Sequence, residues 1–167
     1  MSVGVVLTDV CEGGMTFSQS LEKTYAQGLF EDDVFVDLEG TEAAQKLLIL
    51  ARELGIPMVL EDIAIEPLAA RRHIDSWTSL GSAFEREDAI MAAKAKEATS
   101  RGCTLRYVQR IECSPAAELG AGHRVHAKAS VRLEEVALGS PHATVKGAIY
   151  HFRCVGVGLR GGGRGPR

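Results

Sequence analysis

Apolar residues near the start of the chain repeat at helical spacing. Phe17, Leu21 and Tyr25 fall one turn apart, and Thr16 and Gln19 stand in front of them at the spacing of a capping box. Gly28 is the expected residue just past that helix. An acidic stretch without apolar periodicity follows, and Glu31, Asp32, Asp33 and Asp37 are expected in a loop, where a scaffold can aim them at a ligand. Thr41 then reads as the N-cap of a helix from about Glu42 to Leu54, stopped by Gly55 and Pro57. Its core face is expected at Ala43, Leu47, Leu50 and Leu54, widened by Ala44, Leu48 and Ala51, with Lys46 at the edge.

Further on, Met58 to Leu68 alternates partly and predicts a turn and a short strand. Arg71 to Ser82 predicts a short helix around Ile74, Trp77 and Leu80. Glu85 to Arg101 is rich in Ala and Lys, strong helix formers, with Gly102 as its stop. The period then changes to two. Leu105, Tyr107, Gln109 and Ile111 would share one face of a strand, with Val108 on the other. Ala116 to Gly122 predicts a hairpin-like loop. Val125, Ala127, Ala129, Val131 and Leu133 alternate strictly, and Thr144 to Arg153 predicts a third strand. Helices first and strands later indicate an α+β fold, with helices packed on one face of a mostly antiparallel or mixed sheet. The alternating strand is expected to leave an apolar face or edge that one copy cannot cover. Residues 1–153 are expected to form one domain, and residues 154–167 a Gly/Arg-rich tail, disordered or truncated.

Composition excludes several classes. The chain has 167 residues, 46% hydrophobic and 25% charged, with a net charge of −3. That is ordinary for a soluble domain and offers no basic field for nucleic acid. Arg160, Arg164 and Arg167 cluster only in the Gly-rich end, and Trp77 has no basic frame for stacking a base. No apolar run reaches the ~18 residues of a membrane span. The first residues lack the basic start of a secretory signal, and Asp9 and Glu12 follow the short apolar run closely. A cytoplasmic location is expected, or a plastid if the source is a photosynthetic eukaryote. Cys11, Cys103, Cys113 and Cys154 are scattered with no C-x-x-C pair, which argues for free thiols and against zinc. His73, His123, His126, His142 and His151 show no metal-ligand spacing, so no metal is expected.

Glu42 and Lys46, at i and i+4, share a helix face. Two readings stand. They are a surface pair contributing about 0.3–0.5 kcal/mol, or, with the preceding carboxylates, they form a site for a polar substrate carrying an amino group and a carbonyl. A literal G-x-G-x-x-G occurs at Gly156, Gly158 and Gly161. It opens no helix within a βαβ unit, and so does not read as a dinucleotide fingerprint.

The stretch from Gly28 to Arg52, GLFEDDVFVDLEGTEAAQKLLILAR, resembles the substrate-binding segment of homoserine dehydrogenases, G-[YF]-x-E-x-D-P-x-x-D-L-x-G-x-D-x-A-x-K-x-x-I-L-[AS]-R. Gly28, Glu31, Asp33, Asp37, Leu38, Gly40, Ala44, Lys46, Ile49, Leu50, Ala51 and Arg52 stand at matching positions. EGGMTFSQSLEKTYAQG before it, and LEDIAIEPL, GCTLRYVQRIE and GSPHATVKG after it, resemble further stretches of the family in the same order. Three departures stand out. The family usually has Asp where this chain has Glu42, Pro at Val34, and an acid or polar residue at Val36. The lead-in G-T-x-N motif and the nucleotide-binding half are not in the sequence.

The resemblance implies a reaction, the reversible NAD(P)H-dependent reduction of aspartate 4-semialdehyde to homoserine. It implies Lys46 as the proton donor or relay at the carbonyl, and Glu42 as its catalytic companion. Glu31, Asp33 and Asp37 would bind substrate, with Glu31 on its α-ammonium group. LRGGGRG resembles a late family turn lying against the cofactor, which implies a weak contact by Gly161 and Gly163. NAD(P) itself would be held mainly by a Rossmann domain, separate or fused. A homodimer built through the sheet is implied as well, and no hydride transfer is expected from this chain alone. The alternative reading is a non-catalytic dimerisation or regulatory module, or an amino-acid-binding protein, derived from that domain.

Overall fold

The computed structural model describes residues 2–30, 33–69, 80–113 and 127–144. In chain order these form α1 (Ser2–Glu12), α2 (Phe17–Ala26), α3 (Val34–Leu38), α4 (Thr41–Glu53), a 3₁₀ turn (Leu60–Asp62), β1 (Ile63–Ile65), α5 (Leu80–Ser100), β2 (Cys103–Cys113), β3 (Ala127–Ala137) and α6 (Pro141–Thr144).

The sheet order is β1-β3-β2. β2 and β3 run antiparallel from Cys103 opposite Ala137 to Cys113 opposite Ala127. β1 joins β3 in parallel, Ile63 opposite Ala129. The fold is therefore α+β on a small mixed sheet. Alternation puts Leu105, Ala129 and Val131 into the core, with Tyr107, Ile111 and Leu133 packed against it. Helices α1, α2, α3 and α5 meet in one cluster around Leu7, Phe17, Leu21, Leu38 and Phe84. Helix α4 closes a second, placing Ala44, Leu47 and Ala51 over Ile56, Met58 and Ile63. Burying each large apolar side chain stabilises the fold by roughly 1.5–3 kcal/mol.

Local signals explain the helix ends. Thr16 Oγ1 accepts from the Gln19 amide while Gln19 Oε1 accepts from the Thr16 amide, closing the capping box at 3.2 Å each way. Asp88 of α5 brings a carboxylate there, accepting from both the amide and the hydroxyl of Ser18 at 2.7 Å. That carboxylate complements the exposed amides at the start of α2. Arg106 is buried behind the sheet face that Leu105 and Tyr107 occupy. Its guanidinium donates to the Ala143 carbonyl of α6 at 2.8 Å and reaches Glu12 of α1 at 3.2 Å.

Several expectations need correction. The acidic stretch is not all loop: Val34–Leu38 makes a helical turn because Asp33 caps it, its Oδ1 accepting from the Phe35 amide at 3.0 Å. The apolar start of the chain, read only as not a secretory signal, is helix α1. Helix α4 begins at Thr41 with Gly40, not Thr41, as N-cap. Leu54 is 66% exposed, since it follows the last turn and Ile56 and Met58 take the core place expected of it. The strand expected from Thr144 does not begin there, because Thr144 ends α6, with its hydroxyl on the Pro141 carbonyl at 2.8 Å.

Of the expected uncovered apolar face or edge, the face is absent among the described residues, while β2 is an edge strand that pairs with β3 alone among them. Ala129, Val131 and Leu133 are covered by the chain's own helices, while the opposite face carries Arg110 and Arg132, both paired with Glu134 at 2.5 and 2.9 Å. The helix expected over Arg71–Ser82 does not end at Ser82: Leu80–Ser82 open α5, which continues without a break past Glu85. Residues 71–79, the loop at Ala116–Gly122, Val125, the strand residues after Thr144, and the tail from residue 154 lie outside the described residues.

Candidate functional site

Helices α3 and α4 are joined by Glu39 and Gly40 alone. Gly40 has φ 78°, a left-handed conformation that reverses the chain and that residues with a Cβ adopt at a cost. The reversal brings Asp37, near the end of α3, against Glu42, in the first turn of α4. Asp37 is buried, and the hydroxyl of Ser2, the first residue of α1, donates to its Oδ2 at 2.5 Å. One turn along α4, Lys46 Nζ donates to Glu42 Oε1 at 2.6 Å. Ser2, Asp37, Glu42 and Lys46 thus form one hydrogen-bonded row running from the core to the surface. The Lys46 side chain, at 41% exposed, is its outer end.

Two carboxyl groups in contact cannot both be ionised cheaply. Burial pushes Asp37 above the usual carboxylate range, and the neighbouring Glu42 adds to this, while the bond from Ser2 only partly offsets it. Burial alone would raise Glu42 too, but the bonds from Asp37 and Lys46 and the charge of Lys46 hold it below the usual range. The inner acid therefore holds its proton more tightly than an ordinary aspartate, and the outer acid releases its own more readily, beside an ammonium group.

The signs for stability differ between the two acids. Glu42, lowered on folding, contributes stability above the ordinary glutamate range that is lost as pH falls through its folded value. Asp37, raised on folding, contributes stability below an unfolded value of about 3.9 that is lost as pH rises through its folded value. Asp37→Asn removes that second titration. The stability of wild type relative to this variant is expected to fall as pH rises from about 4 through the raised Asp37 value. Urea unfolding across that window checks this, and a difference that stays flat would count against the assignment.

Of the residues expected from the sequence, Asp37, Glu42 and Lys46 come together. Asp33 stands apart as the cap of α3, with its carboxylate engaged by the Phe35 amide. Glu31, Gly161 and Gly163 lie outside the described residues. Ser2 and Tyr107 were missed as part of the site's frame. A serine at the head of an apolar helix carries no sign of a partner 35 residues away. Alternation places Tyr107 on a face but is silent about its hydroxyl.

Asp37 and Glu42 do not fit the diphosphate of a nicotinamide dinucleotide, which carboxylates repel. They suit a ligand with a cationic group, and Lys46 suits a carbonyl or hydroxyl oxygen. Among the described residues no His, Cys, Asp and Glu side chains gather as a metal site.

A family model described as homoserine dehydrogenase matches residues 2–158. The chain belongs to the homoserine dehydrogenase family. It is 31% identical over 163 residues to the bifunctional aspartokinase/homoserine dehydrogenase of Buchnera aphidicola, covering 92% of this chain and 18% of that protein. It is 31% identical over 112 residues to bifunctional aspartokinase/homoserine dehydrogenase 2 of Escherichia coli, covering 65% and 14%. A chloroplastic relative from Zea mays is 36% identical over 100 residues, covering 58% and 11%. The chain thus spans less than a fifth of these relatives. A Candida auris protein of unknown function shares the fold with a TM-score of 0.72 at 22% identity, covering 87% of this chain and 39% of that one. An S. aureus homoserine dehydrogenase does so with a TM-score of 0.63 at 18% identity, covering 87% and 30%. Members of this homoserine dehydrogenase family are oxidoreductases of amino-acid biosynthesis that use NAD(P). No helix among the described residues is long and apolar enough to cross a membrane.

Proposed function

We propose that this chain is the substrate-binding and dimerisation region of a homoserine dehydrogenase, serving the conversion of L-homoserine and NAD(P)+ to L-aspartate 4-semialdehyde and NAD(P)H. The observation that carries the reading is the Asp37–Glu42–Lys46 row at the start of α4. Lys46 meets the substrate's carbonyl oxygen and gives it a proton in the reduction, taking it back in the oxidation. Glu42 holds Lys46 charged and oriented. Glu31 takes the α-ammonium group, with Asp33 and Asp37 shaping the acidic surround. The nicotinamide nucleotide, which supplies or receives the hydride, sits on another domain, and Gly161 and Gly163 touch it at most from the side. The reading includes a two-fold dimer through the sheet, formed on its charged outer face rather than an apolar one. A cytoplasmic or plastid location goes with the same reading.

Mixing the chain with a nucleotide-binding domain of a relative, then following NADPH formation from homoserine, tests this. Turnover is expected in the mixture and absent from the 167-residue chain alone. No turnover in any such mixture would favour the second reading, a regulatory or amino-acid-binding module derived from the domain. That reading draws support from the half-exposed Lys46, whose pairing with Glu42 is also what an ordinary helix surface pair gives.

A further inference from the structure

Tyr107 sits in the middle of β2, opposite Leu133. Its ring packs against both main clusters, the one formed by α1, α2, α3 and α5 and the one under α4. Its hydroxyl donates to the backbone carbonyl of Glu66, just past β1, at 2.8 Å. Burial, aided by the charge of Glu66, pushes that hydroxyl up to about 12, so it remains a donor throughout the neutral range.

The same hydroxyl lies against Gly40. A Cβ built on Gly40 would overlap the Tyr107 hydroxyl oxygen, and would stand 3.1 Å from Ile65 Cγ2 and 3.2 Å from Tyr107 Cζ. The turn between the two acid-bearing helices therefore closes directly onto a phenol that is itself fixed to the sheet. A tyrosine in a core is often there for its ring alone. This one is distinguished by a bond to a backbone carbonyl and by a contact that only glycine permits.

We propose that Tyr107 is the positioning residue of the acid pair: its hydroxyl, anchored on the Glu66 carbonyl, is the stop against which the Gly40 turn closes, and so sets how closely Glu42 meets Asp37. The chain of contacts runs from β1 through the Glu66 carbonyl and the Tyr107 hydroxyl to Gly40, and from there to Glu42 and Lys46. The inference rests on the proposed function in one respect, that the pair it positions is the substrate-holding group.

The test is a carboxyl-carbon NMR titration of Asp37 and Glu42 in the full chain, for wild type, Tyr107→Phe, Gly40→Ala and the double variant. Tyr107→Phe keeps the ring and removes only the stop. The turn can then close further, so its Asp37 midpoint is expected to rise, and its Glu42 midpoint to fall, each by about 0.5 in pH or more, as the two acids meet more closely. Gly40→Ala, whose methyl holds the turn off the phenol, should move them in the opposite sense. Adding Tyr107→Phe to Gly40→Ala should recover part of the lost thermal stability, because it removes the oxygen that the new methyl overlaps. Unchanged midpoints in Tyr107→Phe, with only a lower melting temperature, would overturn the proposal and leave Tyr107 a core residue. Strictly additive losses in the double variant would overturn it too. The titration needs no substrate, nucleotide or turnover, so it stands or falls separately from the catalytic reading of Lys46.

Discussion

Lys46→Met, in an enzyme reassembled from this chain and a nucleotide-binding domain, is expected to lower turnover by ~100-fold or more. Methionine nearly matches the lysine stem in length and keeps its packing on α4, but it cannot donate a proton. The loss should fall on turnover rather than on substrate affinity, because the proton matters when charge develops on the reacting oxygen. The same change removes the charge that helps hold Glu42 below the usual range. Glu42 should then titrate at a higher pH, and the variant should show this even without a partner domain. If Lys46 is only a surface pair, its removal should cost less than about 1 kcal/mol in stability and leave turnover untouched. Steady-state kinetics of the reassembled enzyme and urea unfolding of the chain decide between the two.

Much of this arrangement was legible in the sequence because it is local. The i, i+4 spacing of Glu42 and Lys46 puts them on one helix face, and the 2.6 Å bond is what that spacing allows. Thr16 and Gln19 close their capping box as their spacing predicts. The alternation from Ala127 to Leu133 sets one face of β3 into the core. What escaped is non-local or depends on a single backbone turn. The acidic stretch looked irregular because five residues are too few to show a helical period, and α3 forms only because Asp33 caps it and Val34 and Leu38 find cover. The bond from Ser2 to Asp37 joins two helices through tertiary packing. The parallel pairing of β1 with β3 likewise leaves no mark on a three-residue strand. The core face of α4 was expected along Ala43, Leu47, Leu50 and Leu54, with Ala44 and Ala51 at its side; it is turned toward that side and centred on Ala44, Leu47 and Ala51, and it stops before Leu54. Periodicity reports a face but not where the helix stops.

Phe84→Ala is expected to destabilise the chain by about 3–5 kcal/mol, the range for truncating a buried aromatic. Phe84 is fully buried on α5 and meets Phe17 of α2 edge-on at 6.0 Å between ring centres. It also meets Phe35 of α3 at 6.2 Å. Each such pair adds roughly 0.5–1.5 kcal/mol beyond the area it buries. A single helical turn such as α3 has no stability of its own, since nucleation costs more than its few hydrogen bonds return. Phe35 against Phe84 is thus part of what holds α3, and Asp37 with it, in place. Truncation should act twice. Urea unfolding should show the full cost of the cavity, and the Asp37 carboxyl should return toward the ordinary range as water reaches a loosened α3. Ile49→Ala, at a position of α4 that is 60% exposed, should stay within about 0.5 kcal/mol of wild type. A Phe84→Ala loss below about 1 kcal/mol would mean that neighbouring side chains collapse into the space. Asp37 would then owe its place to Ser2 and the Gly40 turn rather than to the aromatic core.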